Sequence, residues 1–337
     1  MKTDRILISR TDSIGDVILT LPMAGVLKKV YPESTILFLG RAYTRDIVET
    51  SRFVDRFLDW DEINAMDRCT KVETFNSFKA DVIIHVFPRR MIAMLARQAK
   101  IPIRIGTTGR AYHYLLCNRL VPLSRKRSTL HEAQLNLKLI QSLVAHENYI
   151  LDEIPAYYGF SKVDPLHEQY AILLSKQKFN LIIHPKSKGS AREWGLDNFK
   201  KLIEILPRDR FNIFITGTEA DGKKIKSALV DQFSHINDLT GKLSLKELIS
   251  FINSADGLLA ASTGPLHIAA ALGKFALGLY PPIKPMHPGR WAPIGKRAHY
   301  LVMDKDCSDC RKKTECQCMK TISPHQVKDK LISFIDG

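Results

Sequence analysis

The stretch "RILISRTDSIGDVILTLP", residues 5–22, decides how the rest of the chain is read. Its first five residues form an apolar run that reads as a β-strand. The chain then turns through Ser13, Ile14 and Gly15 and enters a second apolar stretch, read as a helix over about 15–30. A strand that feeds a helix through a glycine-bearing turn is the opening half of a βαβ unit. Asp16 stands where the helix begins. An acid there either helps the helix start, because a helix N-terminus favours negative charge, or serves as a reactive carboxylate.

The same rhythm recurs outward from that point. "STILFLG" (34–40) precedes "TRDIVET", and "DVIIHVF" (81–87) precedes "RRMIAMLARQA". A helical stretch over 129–146 closes the first half. "LDEIPAYYGFSKVDP" (151–165) is irregular, carries two prolines and reads as a linker. The alternation then restarts with strands at 180–185, 211–217, 257–262 and 275–281. Helices are expected over 197–206, 221–233, 244–254, 265–272 and 323–335. The expectation is an α/β protein of two Rossmann-like domains facing across a central cleft. Residues 1–155 form the first domain and 166–320 the second, while 321–337 form a C-terminal helix packing back on the first. Ligands of such sheets bind beyond the carboxyl ends of the strands, which singles out the loops 11–16, 185–192 and 262–267.

Composition limits the function classes. The chain has 337 residues, 45% of them hydrophobic, enough for ordinary cores. A formal charge of +15 favours acidic partners such as phosphorylated substrates, nucleic acid or an anionic membrane. No apolar run is long enough to span a bilayer, and "MKTDRILISR" lacks the apolar core of a signal peptide. A cytoplasmic protein is expected, one that touches a membrane at its periphery. Six cysteines in so long a chain do not make a disulfide scaffold.

Three segments could carry chemistry. In "STGPLHIAAALG" (262–273), Ser262 and Thr263 precede Gly264, and Pro265 suits a first helical position. Backbone N–H groups there, with the Thr263 hydroxyl, suit a phosphate, and Gly264 admits a ligand close to the backbone. An ordinary Ser/Thr cap is the plain alternative. His267, in the first turn, is read as a supporting or packed residue. In "KSKGSAREW" (186–194), Lys186, Lys188 and Arg192 with Ser187 and Ser190 could clamp a diphosphate from the other side. Trp194 is read as packing. From Val82 to Leu130 there is no Asp or Glu but ten basic residues, among them Arg89, Arg90, Arg104 and Arg110. A solvated face mixes signs, so this segment is expected to meet an anionic partner. The tail "CSDCRKKTECQC" opens like a zinc half-site. A structural zinc at Cys307, Cys310, Cys316 and Cys318 is the less favoured reading, and reduced thiols tying down the tail the favoured one.

Taken together, "RTDSIGDVILTLP" and "STGPLHIAAALG" resemble glycosyltransferase family 9, the lipopolysaccharide heptosyltransferase family. "HVFPRR", "RIG", "HP", an Arg-x-Trp-like element and the cysteine-rich tail ending in "CM" extend the resemblance over nearly the whole chain. The resemblance implies a GT-B fold and inversion at the anomeric carbon without a metal or other cofactor. It also implies an ADP-heptose donor and a phosphorylated, lipid-linked acceptor at the inner membrane. Carried over, Asp16 matches the catalytic base, with Gly15 keeping the turn open to the acceptor. Thr263 and Gly264 match the diphosphate-binding pair, Arg192 the cation at the leaving diphosphate and Ser187 a hydroxyl at the same phosphates. Asp221 matches an acid that hydrogen-bonds the ribose. Ser262 departs from the family's Asp, which contacts sugar hydroxyls. That keeps a hexose-donor relative or a nucleotide-sugar epimerase among the readings. A polyanion-binding protein is the non-enzymatic alternative, although no nucleic-acid-recognition motif is present.

Overall fold

A computed structural model of the chain describes residues 3–125, 127–144, 148–187, 189, 191–284, 286–303, 307 and 316–336. The chain divides into two compact units, residues 1–162 and 163–337.

The first unit is built on a six-stranded, all-parallel sheet. Its strands are Arg5–Ser9 (β1), Thr35–Gly40 (β2), Arg56–Asp59 (β3), Val82–His85 (β4), Ile103–Thr107 (β5) and Arg119–Val121 (β6), in the order β3-β2-β1-β4-β5-β6. β1, β2 and β4 are continuous apolar runs because both faces are covered. The helices that position the site are Ile14–Ile18 (α1), Pro22–Val30 (α2), Arg90–Gln98 (α3), His113–Leu116 (α4) and Glu132–Lys138 (α5).

The second unit repeats the plan. Strands Phe179–His184 (β7), Phe211–Ile215 (β8), Ile236–Asp238 (β9), Gly257–Ala261 (β10), Phe275–Tyr280 (β11) and Ala298–Val302 (β12) form a parallel sheet in the order β12-β11-β10-β7-β8-β9. Its helices include Leu196–Ile205 (α6), Glu219–Ile225 (α7), Gly264–Ala271 (α8) and Pro324–Ile335 (α9). In each sheet the first strand in sequence lies centrally and the chain winds outward both ways from it. The switch points fall between β1 and β4 and between β7 and β10. The loops after β1, β7 and β10 therefore stand where a doubly wound sheet binds its ligand.

Several boundaries differ from the sequence reading. The helix expected over 15–30 is two helices, because Pro22 cannot donate to a preceding turn and instead starts α2. Of the long helix expected over 129–146, the described residues form α5, opened by a capping box between His131 and Gln134. All four edge strands, β3, β6, β9 and β12, are additions, and so is β5. Residues 151–162, read as linker, belong to the first unit. Ile154–Tyr157 packs as a 3₁₀ turn on α2, and Tyr158 is fully buried. The final helix lies on α6, with the Phe334 ring 4.1 Å from that of Phe275. Beside it, Trp194 Nε1 donates to the Ile322 carbonyl at 2.8 Å, a packing role, and Cys316 and Cys318 are buried in the same apolar core. Apolar surface on this helix and on the α6 face is thereby removed from water within one unit.

No described helix is long and apolar enough to cross a membrane.

Candidate active site

The loop after β1 is organised by a buried cation. Arg10 is 2% exposed. Its Nε donates to Asp12 Oδ1 at 2.7 Å, its Nη2 to Asp16 Oδ1, and its Nη1 to Glu132 Oε1 at 3.3 Å and Asn136 Oδ1 at 3.4 Å. Arg125 adds a second guanidinium, with Nε on Glu132 Oε1 at 2.8 Å and Nη2 on Asn136 Oδ1 at 2.9 Å. Asn136 Nδ2 donates in turn to the Leu19 carbonyl and to Thr20 Oγ1, both at 3.1 Å, clamping α5 onto the end of α1. A buried guanidinium is tolerable only with such a full set of partners. Burial disfavours its charge, but the carboxylates of Asp12, Asp16 and Glu132 together outweigh that and raise the Arg10 pKa above its ordinary value.

The two acids of the loop differ. Asp12 is pushed up to about 6 by burial, against the pull of Arg10 and with the Asp16 charge adding to the rise. Asp16 stays partly open, its side chain 20% exposed. Ser13 is the N-cap of α1, yet its side chain makes no cap bond to the backbone. The Ser13 hydroxyl donates instead to Asp16 Oδ2. Asp16 is thus held by two side chains, one on each oxygen, and does not cap its helix. Each oxygen retains acceptor capacity for a ligand proton.

The basic residues of the first unit divide by role. Arg89 is bound to the loop after β1, with Nε on Thr11 Oγ1 at 2.6 Å and Nη2 on the Thr11 carbonyl at 3.1 Å. Arg90 and Arg110 are exposed. Arg104, expected on the acceptor face, holds backbone carbonyls instead: Leu116 at 2.9 Å and Ile101 at 2.5 Å. Those bonds join β5 to the end of α4, which is a structural task.

In the second unit, the loop after β7 folds around Glu193, which sequence reading missed. Its carboxylate takes Lys186 Nζ on one oxygen and the Ser187 N–H at 3.1 Å on the other. The Ser187 hydroxyl donates to the Ala191 carbonyl at 2.9 Å and approaches Glu193 Oε1 at 3.3 Å. Arg192 is half-buried in the same loop. Lys188, Ser190 and Cys310 lie outside the described residues. Among the described residues no group of three or more His, Cys, Asp or Glu could hold a metal ion.

The loop after β10 opens α8. Thr263 is its N-cap, in extended conformation, with no side-chain cap bond. Its hydroxyl is buried and has no hydrogen-bond partner among the described residues. A buried hydroxyl left unpaired costs about 1–3 kcal/mol, which an incoming acceptor atom would recover. Gly264 and Pro265 form the first turn, and His267 is buried behind them. With Pro265 lacking an N–H, the donors at this helix start are Gly264 and Leu266. Ser262 is half-buried, and the Tyr280 hydroxyl donates to the Trp291 carbonyl. Burial drives the Tyr280 pKa well above its ordinary range, so its phenol stays protonated.

Asp221, expected at the ribose, takes part in a helix cap. It is the N3 residue of a capping box, 5% exposed, and its Oδ2 accepts the Thr218 N–H at 3.0 Å and the Thr218 hydroxyl at 2.6 Å. Thr218, three residues before an acid at a helix start, was the signal for that role.

Residues 73–320 match the profile of glycosyltransferase family 9 (heptosyltransferase). A Haemophilus influenzae protein whose naming as a glycosyltransferase is itself provisional is 27% identical over 304 residues, 86% of each chain. Lipopolysaccharide heptosyltransferase 3 of Escherichia coli is 24% identical over 280 residues, 79% of each chain. The crystal structure of a glycosyltransferase of family 9 from Veillonella parvula superposes with a TM-score of 0.79 at 20% identity, covering 99% of this chain and 98% of that one. That likeness extends over both units, and the fold is GT-B.

Proposed function

The chain belongs to glycosyltransferase family 9 and is a glycosyltransferase; we propose that it moves a heptose from ADP-heptose onto a phosphorylated lipopolysaccharide-core or related glycolipid acceptor, on the cytoplasmic side of the inner membrane. In this reading Asp16 takes the proton of an acceptor hydroxyl as that oxygen attacks the anomeric carbon. The new C–O bond forms on the face opposite the nucleotide. The bond to the diphosphate breaks, and its electron pair leaves with the phosphate, so the configuration inverts. Arg192, the Thr263 hydroxyl and the α8 N-terminus stabilise charge on the diphosphate as it develops. Ser187 and Lys188 border the same phosphates. Arg89, Arg90 and Arg110, with Gly15, border the acceptor.

The observation that carries the reading is the Thr263 hydroxyl: buried, without a hydrogen-bond partner among the described residues, and set at a helix N-terminus beyond a central strand of the sheet. An oxyanion fits every feature of that position. Ser262 is a weaker acceptor than the carboxylate that the family resemblance leads one to expect at this position, and this favours a hexose donor as the second reading. Family membership sets aside the epimerase and polyanion-binder readings.

A thermal-shift screen of ADP-, GDP- and UDP-sugars tests the donor. A tight ligand raises the melting temperature by mass action, and ADP-heptose is expected to raise it most. A larger shift with a UDP- or GDP-hexose would replace heptose by that sugar.

A further inference from the structure

The acid-free segment from Val82 to Leu130 looks uniformly basic in sequence. The structure divides it. Arg89, Arg104 and Arg125 turn inward onto carbonyls, a hydroxyl and a carboxylate. Arg90, Arg110, Arg119 and Arg127 remain exposed, with no ion pair among the described residues. β4, β5 and β6 follow one another in the sheet, so the right-handed crossovers between them put α3 and α4 on the same face. Those helices pack on each other, and Arg97 Nη1 reaches across to the Leu115 carbonyl at 2.8 Å.

The apolar residues of this face point the wrong way for a core. On α4, Tyr114 is 60% exposed and Leu115 is 74% exposed, and Met91 stands out from α3. The turn that carries them is anchored. His113 beside them is fully buried, its Nδ1 accepts the Thr107 N–H at 2.9 Å, and Tyr112 packs edge-on against its ring. Tyr114 and Leu115 are therefore held outward on a fixed turn, with Arg110 before them and Arg119 after. An apolar tip with a phenol, ringed by arginines, matches the headgroup layer of an anionic bilayer. The arginines would meet lipid phosphates, and the Tyr and Leu side chains would enter the acyl boundary.

We propose that the α3–α4 face, with Tyr114 and Leu115 at its tip and Arg90, Arg97, Arg110 and Arg119 around them, docks the protein on an anionic lipid bilayer. The proposal rests on the reading of the acceptor as membrane-linked and names the surface that meets that membrane.

Co-sedimentation of the full chain with phosphatidylcholine vesicles, with and without phosphatidylglycerol, tests it. Tyr114→Ser/Leu115→Ser is the informative variant, because both side chains are exposed and neither belongs to the transfer machinery. Wild type should pellet with the phosphatidylglycerol vesicles and not with phosphatidylcholine alone. The double variant should bind roughly tenfold more weakly, as the loss of two inserted apolar side chains requires. Its melting temperature and its ADP affinity should match wild type. Equal binding of wild type and variant to the anionic vesicles, or no binding by wild type, overturns the proposal. ADP affinity reports on the transferase reading separately: a protein that ignores ADP but docks through Tyr114 and Leu115 keeps this proposal and loses that one.

Discussion

Arg10 Nη2 donates to Asp16 Oδ1 across five intervening residues of the loop after β1. The bond matters because Arg10 is itself immobilised by Asp12, Glu132 and Asn136. A carboxylate held on one oxygen by a fixed guanidinium and on the other by the Ser13 hydroxyl cannot swing away to cap its helix. In the proposed reaction this orientation would precede the ligand, and such prior orientation lowers the cost of catalysis.

Thr263→Val tests the diphosphate site. The hydroxyl makes no hydrogen bond within the described protein, so an isosteric methyl relieves its burial cost and should hold the melting temperature at or above that of wild type. ADP should bind roughly tenfold more weakly, the usual scale for a lost hydrogen bond to a charged group, while adenosine binds as before. Calorimetric titration separates the two ligands. A destabilised variant with unchanged ADP affinity would make Thr263 structural.

Arg192→Ala extends the same test to the neighbouring loop. Loss of a cation at the phosphates should weaken nucleoside diphosphates more than nucleosides. Equal loss for both would remove its phosphate role.

Asp221→Ala should behave as a broken helix cap. Removing a capping-box acid costs about 1 kcal/mol, a fall of about 2–4 °C in melting temperature for a unit of this size. Adenosine affinity should hold. Retained stability with lost nucleoside binding would restore the ribose role expected from the sequence.

Asp16 and Asp221 look alike in the sequence and differ in their partners. Both are acids near helix starts. Telling them apart needs the partners: Thr218 lies three residues from Asp221, but Glu132 is 122 residues from Arg10. The central strands were legible because burial on both faces writes them as unbroken apolar runs. The loops beyond them were legible because Gly264 and Pro265 mark a helix start. Edge strands were not: Arg119–Val121 and Ile236–Asp238 are short, half-exposed and carry charge, as edges must to avoid pairing with other chains. Glu132 ends the acid-free run and pairs with Arg125 and Arg10, so the signal for the buried cluster was the first acid after the gap.

His85 sets a pH dependence of stability. It closes β4, fully buried, and neither ring nitrogen has a hydrogen-bond partner among the described residues. Burial, with the positive charge of His113 and Arg104 behind it, pushes its pKa down to about 3. A folded-state pKa below the unfolded value of about 6.5 means the contribution to stability is complete above 6.5 and is lost as pH falls toward 3. His85→Leu should flatten the fall in melting temperature between pH 6.5 and 4. An unchanged pH profile would place the acid sensitivity elsewhere.

Asp16→Asn measures the central claim most directly. The amide keeps the size of the side chain and can still accept from Arg10 or Ser13, but it cannot take a proton from an acceptor hydroxyl. Single-turnover transfer from ADP-heptose should fall roughly a hundredfold or more, the scale of a lost general base, with ADP affinity near wild type. A variant that turns over at the wild-type rate would show that Asp16 only organises its loop and that the base lies elsewhere.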